Sequence, residues 1–120
     1  MEILYFDRQI IVCIKPVGMD SESQVPDALK KQFGDDIFTV HRLDLNVGGV
    51  MVYARTKQSA AALSKTIQEG NMVKEYVAMV HGTPDESGDW EDLLWKDSIA
   101  SKHSVQVNLY SQIYSSKLLF

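Results

Sequence analysis

The sequence predicts an α+β domain, and three observations carry that prediction. Short apolar, β-branched-rich stretches such as residues 10–14 and 50–54 have the length of buried strands. Two other stretches repeat apolar residues at three- to four-residue spacing between helix start and stop signals. The two kinds of segment mix without the strict alternation of a βαβ series, which disfavours a wholly parallel sheet.

Taken in order, residues 3–6 read as a short strand, Asp7-Arg8 as a turn and residues 9–14 as a second, mostly buried strand. Lys15-Pro16-Val17-Gly18 ends it, because proline has no donor for the ladder and glycine permits unusual backbone angles. Residues 21–24 are polar. Pro26 suits the first turn of a helix on which Val25, Leu29 and Phe33 stack at four-residue spacing, with Gly34 as its stop. Residues 37–40 form the next expected strand, 41–48 a polar loop and 50–54 a strand. Thr56 caps a helix running to about Glu69, with Ala60, Leu63 and Ile67 on its apolar face and Gly70 after it. Residues 72–81 read as a strand with Lys74, Tyr76, Ala78 and Val80 on one face. A turn is expected at 83–88. Val105, Val107 and Leu109 alternate like one more strand, and residues 111–120 give no clear pattern.

The chain of 120 residues has room for one domain. Its apolar runs, such as 10–14, are too short to span a bilayer as a helix. Met1-Glu2-Ile3-Leu4 lacks the basic region of a secretory signal, and the single cysteine, Cys13, excludes an internal disulfide. Both features lead us to expect a reducing cytoplasm and no membrane partner. The formal net charge of -4 argues against nucleic acid, since phosphate binding favours a basic surface. The acids, however, concentrate in residues 85–97, and residues 1–84 are close to neutral.

The most informative segment is Val40-His41-Arg42-Leu43-Asp44-Leu45-Asn46-Val47-Gly48-Gly49. It places a carboxylate two residues after an arginine, on a loop held between two apolar strands, where catalytic groups are commonly carried. An ordinary Asp is ionised at neutral pH and can act as a nucleophile or a base. An Arg-x-Asp triplet taken alone is more often a surface ion pair.

The whole run resembles the signature of the RluA-type RNA pseudouridine synthase family. Ile3-Leu4-Tyr5-Phe6-Asp7, then Ile10-Ile11-Val12 and Lys15-Pro16-Val17-Gly18, resemble that family's opening strands and Lys-Pro-x-Gly turn. Ala54-Arg55-Thr56 with its Ala-rich helix, and Lys74-Glu75-Tyr76-Val77-Ala78 with Val80 and Gly82, are similar to its next two elements. These motifs occur in order over about the first hundred residues. The resemblance implies a pseudouridine synthase-like fold with a mixed, mostly antiparallel sheet and flanking helices. It also implies isomerisation of uridine to pseudouridine in structured RNA, ribosomal or transfer. The N-glycosidic bond is cut, the uracil turns and a carbon–carbon bond forms, so neither a redox cofactor nor a metal is required. Asp44 is implied as the essential carboxylate, attacking the sugar or removing one of its protons. Tyr76 would stack on the extruded uracil. Arg42 would fill the vacated space or pair with phosphate, and Lys74 would contact phosphate. His41 is implied with these as part of the substrate-binding site, and is otherwise expected to brace the loop.

Two departures from the family pattern shape the remaining expectations. The family's Thr-Ser-Gly after the catalytic carboxylate is Val47-Gly48-Gly49 here, so hydrogen bonding once given by hydroxyls must come from elsewhere. The later Thr-Gly-Arg and His-Gln-Ile-Arg type motifs are not found, nor is a basic partner for the carboxylate. Residues 1–98 are therefore expected to form the N-terminal part of the catalytic domain, with 99–120 a divergent or truncated tail. An incomplete sheet predicts self-association through exposed strand edges. It also predicts weak or no activity for this chain by itself, the alternative being a non-catalytic RNA-binding module. With no RNA-binding domain ahead of Met1, target selection would rest on the catalytic domain.

Overall fold

A computed structural model describes residues 1–79 and 81–83, and the backbone of residues 117–119. Two compact units divide between Met72 and Val73.

In the first unit, β1 (Glu2–Phe6), β2 (Ile10–Lys15), β3 (Phe38–Thr39) and β4 (Gly49–Ala54) form an antiparallel sheet in the order β1-β2-β4-β3. The β1–β2 turn is made by Asp7, whose carboxylate accepts from the amides of Gln9 and Ile10. These bonds hold it below the usual carboxylate range. Alternation along β2 sends Ile11, Cys13 and Lys15 to the buried face. Ile11 lies opposite Tyr53, Cys13 opposite Met51, and Lys15 opposite Gly49.

Helix α1 (Gln24–Phe33) adds Val25 and Leu29, one turn apart, to the core of Ile11, Cys13, Met51 and Tyr53. Phe33, Ile37, Met19 and Leu43 pack around it. Gly34 closes α1 in the left-handed conformation at φ 78°, the role expected of that glycine. Helix α2 (Lys57–Gln68) is capped by Thr56, whose hydroxyl accepts from the Ser59 amide in a reciprocal capping box. Ala60, Leu63 and Ile67 are half-buried, as their spacing predicts.

In the second unit, β5 (Glu75–Val77) pairs in parallel with β6 (Lys117–Leu119). The expected strand over 72–81 is thus three residues long among the described ones. Its partner falls in a segment that showed no strand pattern. The expected turn at 83–88 beyond its first residue, the strand at 105–109 and the boundary at Ser98 lie outside the described residues.

Cys13 is fully buried, and burial pushes its thiol up to about 11. The native chain is expected to react with iodoacetamide at pH 8 at least about a hundredfold slower than the urea-unfolded chain. Comparable rates would contradict the placement of Cys13 in the core.

Candidate active site

The loop between β3 and β4 carries His41, Arg42 and Asp44, and its backbone is bonded on alternate residues. Thr39 is the last residue of β3 to pair with β4. Beyond it the amide of Val52 donates to Nε2 of His41 at 3.0 Å. The imidazole thus satisfies a donor that a longer β3 would otherwise have taken.

Both backbone groups of Leu43 meet one hydroxyl. Ser21 Oγ donates to the Leu43 carbonyl at 2.9 Å and accepts from its amide at 3.3 Å. The Leu45 carbonyl accepts from the Gly18 amide at 2.7 Å and from Lys15 Nζ at 3.5 Å. The Val47 amide donates back to the Asp44 carbonyl at 3.0 Å, which turns the chain. Gly48 then passes close to the Lys-Pro turn. A Cβ at that position would lie 3.2 Å from Val17 Cγ2 and 3.3 Å from the Lys15 carbonyl oxygen.

This bracing comes from residues 15–21, a segment made rigid by its own bonds. Lys15 has no exposed surface, and its ammonium donates to the carbonyls of Met19 at 2.8 Å and Pro16 at 3.1 Å as well as to Leu45. Asp20 accepts from the Ser23 hydroxyl and from the amides of Ser23 and Glu22. These bonds, the Ser23 hydroxyl foremost, hold its carboxyl below the usual range. With no side-chain hydroxyl at Val47 or Gly48, the loop's backbone is bonded by Gly18, Ser21 and Lys15.

Against this fixed backbone the side chains of Arg42 and Asp44 face solvent, 67% and 60% exposed. Arg42 Nη2 lies 3.8 Å from Asp44 Oδ1, and Arg42 Nη1 lies 3.4 Å from Glu22 Oε2. Among the described residues, Arg42 is the one cation within ion-pair distance of Asp44. Such an exposed pair contributes about 0–1 kcal/mol, so it orients the carboxylate more than it stabilises the fold. An accessible carboxylate beside a guanidinium, on a backbone held at both flanking residues, has the parts needed for nucleophilic or base chemistry on an anionic ligand. His41 belongs to the same loop but spends Nε2 on the Val52 amide.

Lys74 and Tyr76 belong to the second unit. Tyr76, at the centre of β5 and in register with Leu118, is half-buried, as is Lys74, while Glu75 and Val77 are exposed. Ser21 and Gly18 were not signalled as site residues. A serine in a polar stretch says nothing about a partner 22 residues away, and no local period encodes it.

The family model for RNA pseudouridylate synthase matches residues 9–117. The tRNA pseudouridine synthase C of Vibrio parahaemolyticus is 33% identical over 117 residues, covering 88% of this chain and 48% of its own length. That of Haemophilus ducreyi is 31% identical over 115 residues, covering 87% and 47%. A solved structure of the human RNA pseudouridylate synthase domain containing 4 superposes with a TM-score of 0.50 at 28% identity, over 58% of this chain and 30% of that one. The chain spans about half the length of the curated relatives it matches, 48% and 47% for these two.

Proposed function

The chain belongs to the RNA pseudouridylate synthase family, and we propose on that footing that it isomerises uridine to pseudouridine in structured RNA, with Asp44 as the essential carboxylate. The observation that carries this reading is the Asp44 loop. Its backbone is bonded at Leu43 and Leu45, and its carboxylate is open to solvent beside Arg42. The bonds to residues 15–21 favour a site over an ordinary surface loop, since an ion pair alone needs no such bracing.

Transfer RNA is the proposed substrate, because both relatives described above carry tRNA in their names. The target uridine leaves its stack to reach the carboxylate. Asp44 then attacks the sugar or takes a proton from it while the N-glycosidic bond breaks. The freed uracil turns and rejoins through carbon, as Asp44 leaves the sugar or returns its proton; the joining carbon gives up a proton and the released nitrogen gains one, so the product is an isomer of the substrate and no redox partner enters. Arg42 is free in part of its guanidinium to meet phosphate or stack in the gap left by the base. Lys74 and Tyr76 are assigned phosphate contact and stacking on the uracil. We place the reaction in the cytoplasm. No helix among the described residues is long and apolar enough to cross a membrane.

A second reading, a non-catalytic RNA-binding module, is favoured by the single ion partner of Asp44 among the described residues. Self-association is proposed through β1, which among the described residues is an edge strand with Leu4, Tyr5 and Phe6 exposed.

The test is pseudouridine formation by the purified chain on unmodified transfer and ribosomal RNA, with RNA binding measured in parallel. Slow conversion of transfer RNA is the expected result, the incomplete sheet holding the rate low. Binding without conversion by a folded chain would favour the module, and neither activity would overturn both readings.

A further inference from the structure

Ser21 is 2% exposed, lies outside the Asp44 loop and has no part in the reaction as described. Its one hydroxyl nevertheless saturates Leu43, donating to the carbonyl at 2.9 Å and accepting from the amide at 3.3 Å. It stands where a neighbouring strand would stand, and among the described residues it is the hydrogen-bond partner of both groups. Ser21 is itself anchored. Its carbonyl accepts from the hydroxyl of Tyr53 at 2.8 Å, and Tyr53 is fully buried on β4 in the core. A chain of three contacts therefore runs from the core to the residue preceding the carboxylate.

The other flank of Asp44 is held by the Gly18 amide on the Leu45 carbonyl. With Leu43 and Leu45 both fixed, the backbone of Asp44 has little freedom left, although its side chain is solvated. That combination matters for a reacting group, because a misplacement of about 1 Å can cost about a hundredfold in rate.

We infer that Ser21 is a positioning residue for Asp44, fixing the backbone of the carboxylate through both polar groups of Leu43 and drawing its own position from the Tyr53 hydroxyl. The inference rests on the reading of Asp44 as the essential carboxylate.

The test compares the wild-type chain with Ser21→Ala, Ser21→Thr and Tyr53→Phe. The readouts are kcat and KM on transfer RNA and backbone amide hydrogen exchange. In Ser21→Ala, kcat is expected to fall tenfold to a hundredfold with KM within about twofold. The Leu43 amide should exchange at least about tenfold faster, while protection of β2 and β4 is retained. Ser21→Thr, which keeps the hydroxyl, should recover both kcat and the slow Leu43 amide. Tyr53→Phe should shift both quantities in the Ser21→Ala direction by a smaller factor.

A folded Ser21→Ala chain with wild-type kcat overturns the inference, whatever the Leu43 amide does, and leaves the functional reading standing. If Ser21→Ala loses protection throughout, Tyr53→Phe decides, and an unchanged kcat and Leu43 amide in that variant overturn the inference. A wild-type chain that leaves uridine unaltered, with the Leu43 amide released in Ser21→Ala and to a smaller extent in Tyr53→Phe, overturns the functional reading and supports the clamp.

Discussion

Asp44→Asn is expected to abolish pseudouridine formation, lowering kcat by at least about three orders of magnitude, while leaving the fold and RNA binding intact. The separation follows from where the two halves of Asp44 lie. Its carbonyl makes the turn to the Val47 amide at 3.0 Å, and asparagine keeps that bond. Its carboxylate is 60% exposed and meets Arg42 at 3.8 Å, a pair whose loss costs about 0–1 kcal/mol. The melting temperature should therefore move by only a few degrees. An amide of the same shape can neither attack a sugar carbon nor accept its proton at neutral pH. RNA affinity should hold or rise slightly, since one negative charge leaves the surface proposed to meet phosphate. The check is pseudouridine counted per transfer RNA over time, beside a binding titration and a thermal melt. A variant keeping a tenth or more of wild-type turnover would remove Asp44 from the chemistry.

The largest structural effect is expected at Lys15. Lys15→Met preserves the length and the apolar stem but deletes the ammonium. Replacing a buried charge by an apolar group is harmless where its partners go with it or are reached by water. Here the partners are backbone carbonyls of Pro16, Met19 and Leu45, which no side-chain substitution removes. Leu45 retains the Gly18 amide and the exposed Pro16 can turn to water, whereas half-buried Met19 loses its donor and the Lys15 site itself has no exposed surface. A loss of about 3 kcal/mol is expected, measured as a lower urea midpoint at unchanged slope. Because the same ammonium ties the Lys-Pro turn to the Asp44 loop, a folded Lys15→Met chain should also turn over more slowly. Stability within about half a kcal/mol of wild type would show that the turn is held by packing rather than by the ammonium.

What the sequence disclosed divides along the distance over which each signal acts. Helix α1 was legible because Val25, Leu29 and Phe33 recur within one element and Gly34 closes it. Helix α2 was legible from Thr56 and from Ala60, Leu63 and Ile67. Strands β2 and β4 showed as runs of Ile and Val, and the Arg-x-Asp spacing marked Arg42 and Asp44 as neighbours, now 3.8 Å apart. What escaped notice is non-local. Nothing near Ser21 announces a bond across 22 residues, nor anything near Lys15 a bond across 30. Lys15 reads as a turn residue because a charge ends the apolar alternation of Ile11 and Cys13, yet it continues the buried face. Strand β5 was overextended because its alternation outlasts its pairing with β6. Strand β6 was missed because residues 117–119 carry no period of their own.

The parallel pairing of β5 with β6 also orders events in time. The hydrogen bonds described above for the Asp44 loop join residues between Lys15 and Tyr53, so these contacts close over short spans at little entropic cost. Among the described residues, Glu75–Val77 pairs with Lys117–Leu119, so this ladder waits until Leu119 has left the ribosome. During synthesis these contacts around the carboxylate therefore form ahead of the β5–β6 ladder.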